Sequence, residues 1–79
     1  MFTKESLTNQ FKMFDKSNSG KLPMPTIVTV VQSLGMNTTG EKVTNWFKQN
    51  LHKADGDEIT VDEFINWFKT TNPQMYKDA

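Results

Sequence analysis

Phe11-Lys12-Met13-Phe14-Asp15-Lys16-Ser17-Asn18-Ser19-Gly20-Lys21-Leu22 is the stretch on which the fold turns. It runs from an apolar helical repeat, with Leu7, Phe11 and Phe14 spaced four and three apart, through polar turn residues to an isolated aliphatic side chain. The repeat defines one face of a helix that Thr3 can cap and that ends near Asp15. Pro23 and Pro25 punctuate the next segment, and Pro25 suits the first position of a new helix, where its missing N–H has no partner to lose. Ile27, Val30, Val31 and Leu34 repeat at i, i+3, i+4 and i+7 and stop at Gly35. A second helix is therefore expected, although the β-branched run from Ile27 to Val31 favours strand on propensity alone.

The same plan returns in the second half. Thr38 and Glu41 have the spacing of a capping box, and Val43, Trp46, Phe47 and Leu51 predict the buried face of a third helix. Asp55-Gly56-Asp57 breaks it, after which Thr60 and Glu63 repeat the capping spacing and Val61, Phe64, Ile65 and Phe68 stripe a fourth helix. Asn72-Pro73 stops that helix, and the tail 72–79 is expected to fray. Helix, polar loop, helix, twice over, reads as an internal repeat. Aligning the two loops sets Gly20-Lys21-Leu22 beside Asp57-Glu58-Ile59, so that Leu22 and Ile59 can pair across a short two-stranded bridge. The expected fold class is all-α, with four helices and two loops joined by that bridge.

Composition narrows the function. Seventy-nine residues fit one small domain. No apolar run approaches the roughly 20 residues that span a bilayer, and Met-Phe-Thr-Lys-Glu does not open like a secretory signal. A cytoplasmic location away from membranes is therefore expected. The absence of cysteine removes disulfides, thiolate metal sites and cysteine nucleophiles. Nine Lys balance nine Asp and Glu with no Arg at all, which argues against a nucleic-acid partner. Five of the acids gather between Asp55 and Glu63. His52 is the sole histidine, without a Ser-His-Asp setting or a phosphate-binding glycine loop around it, so catalysis is not expected.

The segment 11–22 resembles the end of the entering helix and the loop of an EF-hand, and Val31-Gln32-Ser33-Leu34-Gly35 is similar to the exit helix of a calmodulin-type lobe. Ile59-Thr60-Val61-Asp62-Glu63-Phe64 resembles the close of a second EF-hand loop. The resemblance implies one EF-hand pair over 1–79, the first hand at about 3–36 and the second at about 38–71. Within that superfamily the chain is most similar to calmodulin and myosin light chains, and in length to the single-lobe light chains of class I myosins.

An EF-hand loop that binds calcium supplies oxygens from positions 1, 3 and 5, a carbonyl at 7 and a bidentate Glu at 12. The first loop offers Asp15, Ser17, Ser19, the Lys21 carbonyl and, at the last position, Thr26 in place of Glu. One formal negative charge puts any affinity at the weak end, at about 10⁻⁴–10⁻³ M, and Lys16 and Lys21 weaken it further. In the second loop, counting back from Ile59 at position 8 puts His52 at 1 and Ala54 at 3; counting forward from the third helix puts Leu51 at 1, Lys53 at 3, Asp55 at 5 and one residue too many before Ile59. Both registers lose the first two ligands. Glu63 holds position 12, but its capping box with Thr60 accounts for it without metal. No cofactor is expected, and calcium only weakly, in the first loop.

Phe11, Phe14, Val31, Leu34, Met36, Val43, Trp46, Phe47, Phe64, Trp67 and Phe68 are many apolar side chains for so small a lobe. Phe11, Phe14, Phe47, Phe64 and Phe68 are assigned to the core first, with Ile27 and Val30. Trp67 lies beside the stripe of the fourth helix and Met36 sits between the two hands, so both widen the apolar face into a groove suited to an amphipathic helix. The resemblance implies that a monomer of this lobe holds the basic IQ-motif helix of a myosin heavy chain without waiting for calcium, with Asp55, Asp57 and Glu58 as acidic contacts. The expected function is thus a largely calcium-independent light chain that stiffens the lever arm of a class I myosin at the actin cytoskeleton. The alternative is a small calcium sensor that uses the first loop alone on a target helix outside the motors.

Overall fold

In the computed structural model, which describes residues 1–78, helix α1 spans Lys4–Phe14, strand β1 Lys21–Pro23 and helix α2 Met24–Ser33. Helix α3 (Gly40–Asn50), strand β2 (Glu58–Thr60) and helix α4 (Val61–Thr71) repeat the order, and a 3₁₀ turn at Pro73–Met75 comes after them. Thr3 and Ser6 cap α1 reciprocally, each side chain accepting the other's backbone N–H, at 3.1 and 2.8 Å. Thr60 and Glu63 do the same for α4, as the sequence predicts.

The β-branched run forms a helix because burial outweighs propensity. Ile27, Val30 and Val31 sit on one helical face and are fully buried, and burying each such side chain is worth about 1.5–3 kcal/mol. Helix propensity costs β-branched residues at most about 0.7 kcal/mol each. As a strand, the same run would send Val30 to the face opposite Ile27 and Val31. The helix opens one residue earlier than Pro25, at Met24, with Pro23 at the cap.

Strands β1 and β2 pair antiparallel, with Leu22 opposite Ile59, Lys21 opposite Thr60 and Pro23 opposite Glu58. Leu22 and Ile59 both point into the core, and the Val61 N–H donates to the Gly20 carbonyl at 3.1 Å, tying the start of α4 to the first loop. Helix α1 packs on α4, where the Phe11 and Phe64 rings lie 5.9 Å apart, and α2 packs on α3.

Three expectations are corrected. The cap of α3 is Thr39 rather than Thr38, and its hydroxyl accepts the Lys42 N–H at 3.2 Å, so Glu41 falls one position short of closing a box with the actual cap. Trp67 is 4% exposed and belongs to the core, stacked on Phe64 and edge-on to Phe68. The tail does not fray over its described part: the Phe2 N–H donates to the Met75 carbonyl at 2.7 Å and the Lys77 N–H to the Phe2 carbonyl at 2.8 Å. Tyr76 packs near Phe68 beneath the Lys69 ammonium. Ala79 of that tail lies outside the described residues.

Candidate functional site

Asp15 comes directly after the last residue of α1 and is 6% exposed, a carboxylate drawn out of water at the head of the first loop. Its Oδ2 accepts the Gly20 N–H at 2.7 Å, and its Oδ1 accepts the Ser19 N–H at 3.1 Å, the Ser19 hydroxyl at 3.2 Å and the Ser17 hydroxyl at 3.4 Å. The Gly20 N–H above all holds the Asp15 carboxyl below the usual carboxylate range, against its desolvation, and the Ser19 and Ser17 donors add to that effect. Ser19 Oγ also lies 3.0 Å from the Lys21 carbonyl. The structure thus brings Asp15, Ser17, Ser19 and Lys21 together as the sequence places them, but in bonds to one another. Thr26 sits half-buried in the first turn of α2.

The second loop is organised by a lysine. Beyond α3, His52 adopts a left-handed conformation (φ +55°), and the Lys53 N–H turns back to the Phe47 carbonyl at 3.3 Å. The Lys53 ammonium lies 2.9 Å from Glu63 Oε2 and 3.2 Å from the Glu58 carbonyl. Glu63 Oε1 accepts the Thr60 N–H at 2.9 Å, so the two oxygens of this carboxylate face different partners. Burial works against the charge of Glu63 and is outweighed by the Thr60 N–H and the Lys53 ammonium, leaving its carboxyl below the usual range. The bridge register makes Ile59 the counterpart of Leu22, and Gly56 (φ +93°), like Gly20 (φ +81°), supplies the left-handed turn. Two residues separate Gly56 from Ile59 where one separates Gly20 from Leu22, so the extra residue of the second loop lies after its glycine.

The acidic candidates are already engaged. Asp55 pairs with Lys48 at 2.6 Å, Glu58 with Lys21 at 3.5 Å across the bridge, and Asp57 Oδ2 accepts the Ala54 N–H at 2.8 Å. All three acids remain exposed.

The apolar candidates separate into two groups. Phe11, Val31, Phe47, Phe64 and Phe68 are sealed in the core, and Phe14 and Leu34 are half-buried against it. The groove expected from all eleven is therefore not one open surface, because α1 closes on α4 and α2 on α3. Met36 and Trp46 instead line a cleft of about 540 Å³ beside α3 and the end of α4, which the core residues Val43 and Trp67 also border, and Met75, which sequence reasoning missed, completes its apolar wall. Trp46 is half-buried there, its ring 5.2 Å from Phe47. The signal for Met75 lies outside any local pattern, since the tail is held by Phe2 from the other end of the chain.

Four helices with two loops joined at an antiparallel bridge are the architecture of an EF-hand pair. The chain is 31% identical over 61 residues to a 16 kDa calcium-binding protein of Schistosoma mansoni, matching 77% of this chain and 42% of that protein. It is 32% identical over 72 residues to calcium-dependent protein kinase 17 of Arabidopsis thaliana, matching 87% of this chain and 13% of the kinase. Calcium-binding protein CML19 of the same plant is 28% identical over 68 residues, 86% of this chain and 40% of that protein. The chain spans less than half the length of each of these relatives. No family model matches it, and no solved structure does. Architecture and relatives together support the EF-hand superfamily.

The residues present fit a divalent ion poorly. Calcium takes about six to eight oxygens, and among the described residues no three acidic or histidine side chains converge as ligands. Asp15 is covered by four donors, and Glu63 shares its oxygens between a helix cap and an ammonium.

Proposed function

We propose that this lobe holds a partner helix independently of calcium, in the manner of a single-lobe light chain on the IQ-motif helix of a class I myosin, stiffening the lever arm at the actin cytoskeleton. The observation that carries this reading is the coexistence of loops satisfied by their own donors with a cleft whose partly exposed walls are Met36, Trp46 and Met75. Large, deformable or aromatic side chains of this kind anchor amphipathic helices. The exposed Asp55, Asp57 and Glu58 would meet the basic residues of such a helix, adding rate and salt dependence more than affinity.

Calorimetric titration of a synthetic basic IQ-type helix, once in calcium and once in chelator, tests it. Equal affinity in both is expected, with Trp46→Ala weakening binding by about tenfold or more. Absence of binding in chelator sinks the reading. A second reading, a calcium sensor working through Asp15 and its loop on another target helix, is favoured by the names of two of the relatives. A saturable change in tryptophan fluorescence at micromolar calcium selects it.

A further inference from the structure

Lys53 counts as a non-ligand in either numbering of the second loop, yet its ammonium is where the loop's oxygens converge. With Ile59 at position 8, opposite Leu22, the Glu58 carbonyl occupies position 7 and the Glu63 carboxylate position 12. These are the two ion-facing oxygens that the loop retains after losing positions 1, 3 and 5 to His52, Ala54 and Gly56. Lys53 Nζ contacts both, at 3.2 and 2.9 Å, with side chains only 19% and 27% exposed for Lys53 and Glu63.

We propose that Lys53 is the resident cation of the second loop: a tethered ammonium that bridges the Glu58 carbonyl and the Glu63 carboxylate and closes the loop in place of a divalent ion. The match is chemical as well as spatial. One ammonium neutralises one carboxylate and donates up to three hydrogen bonds, whereas a divalent ion in the same place would face one carboxylate and three missing ligands. Tethering makes occupancy independent of ion concentration, because the cation is already local. An incoming divalent ion would also have to expel a like charge held about 3 Å from the same oxygen, in a partly desolvated site. The left-handed turn at His52 redirects the chain at the start of this side chain, and the same Glu63 leaves its other oxygen for the α4 cap. The ammonium thereby positions β2 and the start of α4, the segment that meets the first loop through Val61 and Gly20. This inference concerns the loop alone and does not depend on which helix the cleft takes.

The test compares Lys53→Gln, Lys53→Arg and Glu63→Gln with the unaltered chain. The readouts are amide exchange at Val61 and the response of the Glu63 amide signal to terbium, a trivalent calcium mimic. Expected is a loss of Val61 protection of about tenfold in Lys53→Gln, largely kept in Lys53→Arg. In Lys53→Gln the Glu63 signal should also respond to terbium at about tenfold lower concentration than in the unaltered chain, because the competing charge is gone. In a Glu63→Gln background, replacing Lys53 should change protection much less, since the cation has lost its carboxylate. If Lys53→Gln leaves both Val61 protection and the terbium response unchanged, the ammonium is a bystander and the proposal is overturned. If Lys53→Gln does not fold, the Lys53 side-chain N–H signal of the unaltered chain decides: slow exchange that is lost in Glu63→Gln supports the bridge, and fast exchange in the unaltered chain overturns it.

Discussion

The two loops arrive at the same joint by different chemistry. Loop 1 turns at Gly20 and covers Asp15 with neutral donors, two backbone N–H groups and two serine hydroxyls. Loop 2 is one residue longer, turns at Gly56 and meets Glu63 with a full positive charge from Lys53. Both acids answer the same requirement, that a carboxylate partly withdrawn from water be matched by donors or by charge. The kind of match decides what can replace it. A serine hydroxyl can rotate its proton away and offer a lone pair to a cation, whereas an ammonium has no lone pair to offer and must leave. Loop 1 is therefore the convertible member of the pair and loop 2 the locked one.

The comparison breaks most severely at the shared joint. Ile59 is fully buried opposite Leu22, so Ile59→Ala should destabilise the lobe by about 2–5 kcal/mol, read from denaturant unfolding. Amide protection in both loops should fall together, because the bridge couples them. A loss confined to loop 2 would show that the two loops are held independently.

Acid provides a gentler break. The carboxyls of Asp15 and Glu63 both titrate below their ordinary values in the folded lobe. Their stabilisation is therefore complete above the unfolded values, about 4, and is lost as pH falls through the lower folded ones. The melting temperature should stay level down to about pH 5 as far as these two groups are concerned and drop below about pH 4. Glu63→Gln should remove the share of loop 2 and leave that of Asp15. An unchanged acid slope in this variant would assign the whole effect to loop 1.

Much of this arrangement was legible because it is local. Leu7, Phe11 and Phe14, or Phe64, Ile65 and Phe68, announce their helices through periodicity, and Leu22 and Ile59 announce the bridge through the repeat. The features that escaped depend on non-local partners or on a choice between neighbours. Thr38 and Thr39 are adjacent hydroxyls, and only the helix start at Gly40 selects the second. Trp67 looks peripheral on the α4 wheel until it stacks against Phe64, and Asn72-Pro73 reveals where α4 stops without revealing that Phe2 awaits the tail. Lys53 escaped for a chemical reason: ligand counting looks for oxygens, and a side chain that stands in for the ion is not among them.

The finest test of the contrast is Thr26→Glu. The substitution places a carboxylate at position 12 of loop 1, in the first turn of α2, where the helix dipole favours negative charge by about 0.3–1 kcal/mol. Folding stability should thus change little or rise slightly. The loop would then hold two formal charges, Asp15 and the new Glu, and Ser17 and Ser19 could turn their oxygens inward, while the Gly20 and Ser19 N–H groups continue to brace Asp15. Calcium binding about tenfold or more tighter than in the unaltered chain is expected by calorimetry, with amide shifts around Ser17 to Lys21 and none at Glu63. No heat at millimolar calcium would mean that the missing carboxylate is not the main defect, and would move attention to the serines and to Pro23 and Pro25. Shifts at Glu63 instead would mean that the ion prefers loop 2 despite its lysine, reversing the assignment of which loop is locked.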